Sequence, residues 1–215
     1  MLFVRFKETK QITGIRFGIL SPDDIRKLAV AKIEIAETYD EEGIPVRGGL
    51  MDRRLGTIEP GVKCETCGNY IGLCPGHFGM IELARPVIHP EFARIIHILL
   101  RATCRSCGRI LLPEEEIEKA REELRRLKEQ WTFLAYKYAE EIAKRAAKAT
   151  VCPHCNAPQY KIKFEKPYNF LEIRDGSQVK LRPTEIRERL ERIRNEDLEV
   201  IGFDYENARP EWTVL

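Results

Sequence analysis

The seven cysteines of this 215-residue chain, joined by one histidine, fall into two sets with the spacing of tetrahedral metal ligands. Cys64 and Cys67 are followed by Cys74 and His77 in the pattern C-x2-C-x6-C-x2-H, and Cys104 and Cys107 are matched 44 residues further on by Cys152 and Cys155. A C-x2-C turn sets two thiolates on one edge of a tetrahedron, about 2.3 Å from a zinc ion, and two such turns close the site. A closed set leaves no coordination position for water, so both sites read as structural rather than catalytic, and metal binding becomes folding energy. The constraint on the fold is severe: whatever lies between Cys107 and Cys152 must leave and return to one point.

Disulfides are the competing use of cysteine. A secreted disulfide framework needs an export signal and an even cysteine count, whereas here the odd seventh cysteine is explained by His77 completing its set. An iron–sulfur cluster could use the four cysteines of the second set, but a histidine in the first argues for zinc there.

The opening run Met1-Leu-Phe-Val-Arg-Phe-Lys7 lacks the apolar core of a signal peptide, and no stretch approaches 18 apolar residues. The chain is therefore expected to be intracellular, in the cytoplasm, with no membrane partner. With 43% apolar and 33% charged residues it has the composition of a globular protein, and its net charge of +2 gives no polybasic footprint. The charge is uneven, however. Five arginines face one acid between Arg85 and Arg109, and six basic residues face three acids between Asn156 and Arg182. Such stripes can steer a polyanion to one face, although each alone is equally well read as solvated surface.

Ser21-Pro-Asp-Asp24 has the form of a helix start, with Ile25 and Leu28 expected to face inward. Lys32–Ala36 and Met80–Ala84 read as short strands, and the glycine- and proline-rich stretch from Gly43 to Gly61 as an ordered loop leading into the first metal set. Pro90–Leu100 reads as a helix carrying Phe92, Ile95, Ile96 and Leu99. His89 and His97 are expected to pack or cap rather than ligate, and His154 to point away from the metal.

From Glu114 to Ala149 the residues Ile117, Leu124, Leu127, Trp131, Leu134, Tyr138 and Ile142 form one helical stripe. Nine acids and nine bases cancel over this stretch, which suits a solvated helix or an antiparallel helix pair better than a basic DNA-binding helix. Metal at the second set would staple this excursion at its base. Gln159–Phe164 alternates as a strand, Asp175-Gly176 marks a hairpin turn, and Thr184 is placed as the cap of a helix with Ile186, Leu190 and Ile193 inward. The apolar run Glu211-Trp-Thr-Val-Leu215 reads as a segment cut short or completed by other chains.

An enzyme reading finds no support, because the chain has no P-loop, dinucleotide glycine fingerprint, G-x-S-x-G elbow or H-E-x-x-H. The adjacent Asp23 and Asp24 are explained by a helix N-terminus, and no compact D-x-D group is present to hold magnesium. Neither metal set has the spacing of a base-reading zinc finger. What remains is an α+β, zinc-stapled module with short strands and a long helical excursion, which binds nucleic-acid backbone, other proteins or both.

Arg47-Gly-Gly-Leu-Met-Asp-Arg-Arg-Leu-Gly56, then Cys64-x2-Cys67 and Leu73-Cys-Pro-Gly-His-Phe-Gly79, resembles the N-terminal region of the largest subunit of multisubunit DNA-directed RNA polymerases, most of all in its archaeal form. The likeness extends to both later cysteine pairs and to Ala208-Arg-Pro-Glu-Trp212. It implies the clamp, a mobile part of the polymerase that closes over DNA and the RNA–DNA hybrid. By that likeness residues 1–90 form the first part of a clamp core with the first zinc site, residues 91–195 a clamp head with the second, and residues 196–215 the start of a return into the core. The same resemblance implies other polymerase subunits as partners, the second-largest above all, and docking of NusG-class elongation factor and initiation factors through the complete clamp. Catalytic Mg2+ belongs to the complete enzyme, with no ligands in this chain. Within that frame, the local excess of positive charge makes Arg101, Arg105 and Arg109, with Lys161, Lys163 and Lys166, the candidate nucleic-acid contacts. A zinc-stabilised protein-interaction scaffold without DNA contact is the alternative.

Overall fold

The structure, a computed structural model, describes residues 13–15, 18–130, 132–203 and 208–215. The opening run and Trp131 lie outside the described residues. The fold is α+β, and its two halves differ sharply in how they are held. Residues 18–87 carry very little regular structure: a helix α1 (Pro22–Leu28) and a two-residue parallel pairing of β1 (Ala31–Lys32) with β2 (Gly79–Met80). The later half carries the remaining helices and a three-stranded sheet.

Helix α1 starts as its sequence dictates, with Ser21 Oγ accepting from the Asp24 amide at 3.1 Å and Asp24 reaching back to Ser21. Its apolar side is not a core face, however, because Leu28 is 48% exposed and no residue of α1 is buried. The expected strands over Lys32–Ala36 and Met80–Ala84 shrink to the β1 and β2 pair, and beyond Ile33 the amides of Glu34 and Ile35 turn to the Gly48 carbonyl instead. A short 3-10 turn, Pro90–Phe92, is capped by the His89 ring, which accepts from the Glu91 amide. It leads into α2 (Ala93–Ala102), where Ile96, Leu99 and Leu100 are buried and Ile95 is turned outward.

The helical excursion is an antiparallel pair, α3 (Glu114–Gln130) and α4 (Thr132–Ala146). The pairing of Arg145, at the end of α4, with Glu116, at the start of α3, shows the two running in opposite directions. Ile117, Leu124 and Ile142 are buried as the stripe requires, but the rest of the α4 contact is made by Ala135, Ala139, Ala143 and Ala146. Leu134 is exposed instead. Small residues let two helices approach closely, so the alanines rather than the large residues set the seam.

The antiparallel sheet has the order β3 (Lys161–Glu165), β4 (Asn169–Arg174) and β5 (Ser177–Lys180). Asp175 and Gly176 both take positive φ, at 47° and 83°, as a two-residue hairpin connection demands. One sheet face packs Ile162 and Phe170 against α2 and α5 (Pro183–Glu191). The cap of α5 is Arg182, not Thr184, because Pro183 takes the first helical position and Glu185 reaches back to the Arg182 amide at 3.0 Å. Ile186, Leu190 and Ile193 point inward as expected, and α6 (Asn195–Val200) follows. The final run is paired within the chain: Val87 and Leu215 exchange both backbone hydrogen bonds, and Val214 is buried. No helix among the described residues is long and apolar enough to cross a membrane.

Candidate metal centres and basic surface

Three cysteine turns share one backbone frame. In each, the first cysteine's amide donates to the carbonyl five residues on, and its own carbonyl accepts from the amide four residues on: Cys64 with Asn69 and Gly68, Cys104 with Arg109 and Gly108, Cys152 with Ala157 and Asn156. The fifth residue of each turn lies in the left-handed region, at φ 71° for Gly68, 74° for Gly108 and 58° for Asn156. This local frame aims both thiols of a turn to the same side.

Each half-site meets its partner. The ligating atoms of Cys64, Cys67, Cys74 and His77 lie within 4.8 Å of one another, as do those of Cys104, Cys107, Cys152 and Cys155. Cys104 Sγ is 3.5 Å from Cys155 Sγ, Cys107 Sγ is 3.7 Å from Cys152 Sγ, and His77 turns Nε2 towards Cys74 Sγ at 3.8 Å. The edge of a tetrahedron of thiolates about 2.3 Å from zinc is about 3.8 Å, so these spacings suit that ion. Burial works against ionising Cys64 and Cys104. The amides of Cys67 and Thr66 around the first, and of Cys107 and Ser106 around the second, outweigh it together with neighbouring thiols and bring both down to about 7. Burial and the surrounding thiols instead push Cys107 up to about 12. Three thiols beside an imidazole, or four thiols together, cannot all ionise without a cation among them, and that is what the donor sets are fit to hold: one metal ion each.

The supports of the two sites differ. The first hangs on the preceding loop, where the carbonyls of Arg53, Arg54 and Leu55 accept from the Glu65 amide, the Thr66 hydroxyl and the His77 amide at 3.1, 2.7 and 2.8 Å. That loop is organised by the buried Asp52 carboxylate, which takes the amides of Gly48 and Arg54 and the Arg54 guanidinium. The Arg54 hydrogen bond, against the opposing effect of burial, holds Asp52 far below the usual carboxylate range. At the second site, Gln159 accepts from the Arg105 amide at 3.1 Å and donates to Cys104 Sγ at 3.2 Å and to the Ala157 carbonyl at 2.9 Å. One side chain thus clasps both turns. His154 reaches the Ile110 carbonyl at 3.0 Å, away from the thiols, and His97 bonds the Ile162 carbonyl at 3.1 Å beside Phe164.

Sequence reasoning missed Asp52 and Gln159 as supports. For Asp52 a signal existed, an acid inside a glycine- and arginine-rich loop; for Gln159 there was none.

The six candidate cations do not form one surface. Lys161 and Lys163 project from the exposed face of β3, and Lys180, not foreseen, joins them from β5 through the row Lys163, Leu171, Lys180. Lys166 lies exposed in the β3–β4 connection, and Arg101 closes the last turn of α2. Arg105 lies over the Tyr160 ring at 4.8 Å. Arg109 is withdrawn from the set: its side chain is 16% exposed and bonds Asp197 at 2.9 Å and Glu114 at 2.6 Å, joining the second metal turn to α6 and α3.

Two closed four-ligand donor sets on a loop-rich scaffold define a candidate metal-binding module. Residues 9–215 match the family described as RNA polymerase Rpb1, domain 1, and the chain belongs to that family. It is 52% identical to DNA-directed RNA polymerase subunit Rpo1N of Thermococcus celer and 50% identical to the Rpo1N of Sulfolobus acidocaldarius, in both cases over 96% of this chain and 23% of the relative. The Rpo1N of Methanocaldococcus jannaschii is 48% identical over 98% of this chain and 16% of its own length. The chain therefore spans about a quarter or less of the relatives it matches.

Proposed function

We propose that this chain is the clamp portion of the largest subunit of a DNA-dependent RNA polymerase, with residues 1–90 and 196–215 in the clamp core and 91–195 in the clamp head. In this reading it helps the polymerase close over and retain DNA and the RNA–DNA hybrid, and it performs no catalysis itself. The metal in both sites is zinc, held by Cys64, Cys67, Cys74 and His77 and by Cys104, Cys107, Cys152 and Cys155. Bound zinc would supply a rigid crosslink and no chemistry. The second-largest subunit, NusG-class and initiation factors are its partners in the cytoplasm, and catalytic Mg2+ has its ligands outside this chain.

The observation that carries the reading is that a chain of this family has two closed donor sets, the first braced by the loop before it and the second at the root of the α3–α4 pair. A part that swings as a body needs such staples, because a hinge can absorb rotation only if the moving part does not unfold. The test is charge reversal of Lys161, Lys163 and Lys166 in assembled polymerase. DNA binding should weaken and lose part of its salt dependence; unchanged salt dependence would refute DNA contact by this face.

A protein-interaction scaffold is the second reading, favoured by the first half of the chain. Ile58, Leu73, Phe78 and Ile81 are all more than 60% exposed there. Mobility shifts of the same variants separate the two readings, since a scaffold would leave them unaltered.

A further inference from the structure

The two turns of the second metal site and the end of α5 border an open notch of about 330 Å³, lined by Arg105, Ser106, Ala157, Pro158 and Arg192. Three features set it apart from ordinary charged surface. The Arg105 guanidinium lies over the Tyr160 ring, 4.8 Å from its centre, and Arg174 lies 5.9 Å from the same ring, a contact that restrains Arg105 before any ligand arrives. Its arginine neighbours are committed elsewhere: Arg174 and Arg189 both bond the buried Glu172 carboxylate, and Arg109 bonds Asp197 and Glu114. Among the described residues no acid lies within ion-pair distance of Arg105.

Arg192 comes to the notch by a close approach. Its carbonyl and Cβ pack on Gly108 so tightly that a Cβ at Gly108 would lie 2.5 Å from the Arg192 oxygen. Its guanidinium is half exposed and, among the described residues, pairs only with Glu188, at 3.8 Å on the surface. Ser106 is exposed at the rim and its amide is already spent on Cys104, leaving the hydroxyl as donor. Two guanidinia and a hydroxyl around a small notch match a tetrahedral oxyanion, which arginine grips with paired N–H donors.

We propose that Arg105, Ser106 and Arg192 form a phosphate-binding site that takes one backbone phosphate of nucleic acid held by the polymerase. The site rests on the clamp reading above and gives it a defined point of contact. It reads no base, because every donor addresses the phosphate.

The test uses polymerase assembled around the complete subunit carrying R105Q, R192Q or both, with a mixed-sequence DNA duplex titrated across potassium chloride concentrations. Loss of one phosphate contact lowers the slope of log K against log salt by about 0.9. Because both arginines share one phosphate, the double variant should lose about 0.9 in total and hardly more than either single variant. R187Q, which removes an α5 arginine that is half-buried, paired with Glu191 and absent from the lining of the notch, serves as control and should match wild type. A duplex with methylphosphonate placed at successive positions should weaken wild type at one position and leave the double variant indifferent there. Two metal ions per chain in every variant excludes misfolding as the cause.

An unchanged slope in the double variant overturns the site. If K161E/K163E/K166E still lowers the slope, the clamp reading survives that failure; if no variant does, both fall. Inorganic phosphate is then compared with chloride at equal ionic strength. Competition with DNA by wild type, lost in the double variant, supports the site. Phosphate binding that the double variant loses without any change in DNA binding would mean a free-anion site, and overturns the assignment to nucleic acid.

Discussion

The amide nitrogen of Gln159 donates to Cys104 Sγ at 3.2 Å, across 55 residues of chain, while its oxygen accepts from the Arg105 amide. A neutral side chain thereby stabilises a thiolate that it does not touch through the metal. Outer supports of this kind typically carry a 10–100-fold effect on metal affinity. Gln159→Leu should release metal from the second site at about tenfold lower chelator concentration, with the first site unaltered. Chelator titration followed by elemental mass spectrometry reads the difference.

The three cysteine turns allow an internally controlled strain experiment. Gly68 has nothing within 4 Å of where a Cβ would stand, whereas at Gly108 the Arg192 carbonyl would be 2.5 Å away. Gly68→Ala should therefore cost only the left-handed backbone term, about 1–2 kcal/mol. Gly108→Ala should cost distinctly more, because backbone has to move. Asn156→Gly should be almost neutral. Thermal unfolding of the metal-loaded chain ranks the three.

Glu172 is a fully buried carboxylate shared by Arg174 and Arg189. Removing its charge strands two guanidinia, so Glu172→Gln should destabilise by about 3–5 kcal/mol, the usual cost of breaking a buried pair from one side. Denaturant unfolding checks this. Replacing Lys180, exposed on β5, should change stability by less than about 0.5 kcal/mol.

Acid should loosen the two halves through different groups. Burial alone would raise the Glu172 pKa, but the charge of Arg189 and the hydrogen bonds from Arg174 and Arg189 outweigh it and lower the pKa; Asp52 is lowered chiefly by its bond to Arg54. A carboxylate with a depressed folded pKa contributes stability that is fully present above its unfolded pKa, near 4, and is lost as pH falls through the folded value. Stability from these two groups should thus be flat from neutral pH down to about 5 and decline below it. Asp52→Asn should flatten the part of that decline belonging to the first half, measured by hydrogen exchange at the Gly48 and Arg54 amides.

Cys104→Ser with Cys152→Ser should reduce metal content from two ions per chain to one. Protection from hydrogen exchange should fall first in residues 102–112 and 149–160, where Cys104, Ile110 and Cys152 share one core with the helix pair. The interior of α3 and α4, held by Ile117, Leu124 and Ile142, should open later.

The chemistry of the metal sites was legible because ligand spacing within a turn is local: four residues determine where two thiols point. The cap at Ser21 and the turn at Asp175-Gly176 were legible for the same reason. Prediction failed where the deciding partner was distant. Arg109 carries the same charge as Arg105, and its bonds to the buried Asp197, 88 residues on, and to Glu114 take it out of the surface set. Leu28 obeys helical periodicity yet is 48% exposed, and Leu134 yields the helix seam to alanines. Periodicity reports which residues could share a face, not what stands opposite.

The second metal site also imposes an order on folding. Each of its halves is a six-residue turn closed by its own backbone hydrogen bonds, but the halves are 44 residues apart, and bringing chain ends together over such a distance costs entropy that grows with the logarithm of its length. The α3–α4 hairpin shortens that search by folding the intervening chain back on itself. Metal capture by the second set should then come late, after the hairpin has zipped, and a chain deprived of metal there should wait as a helical intermediate with the pairs Cys104/Cys107 and Cys152/Cys155 open to thiol reagents.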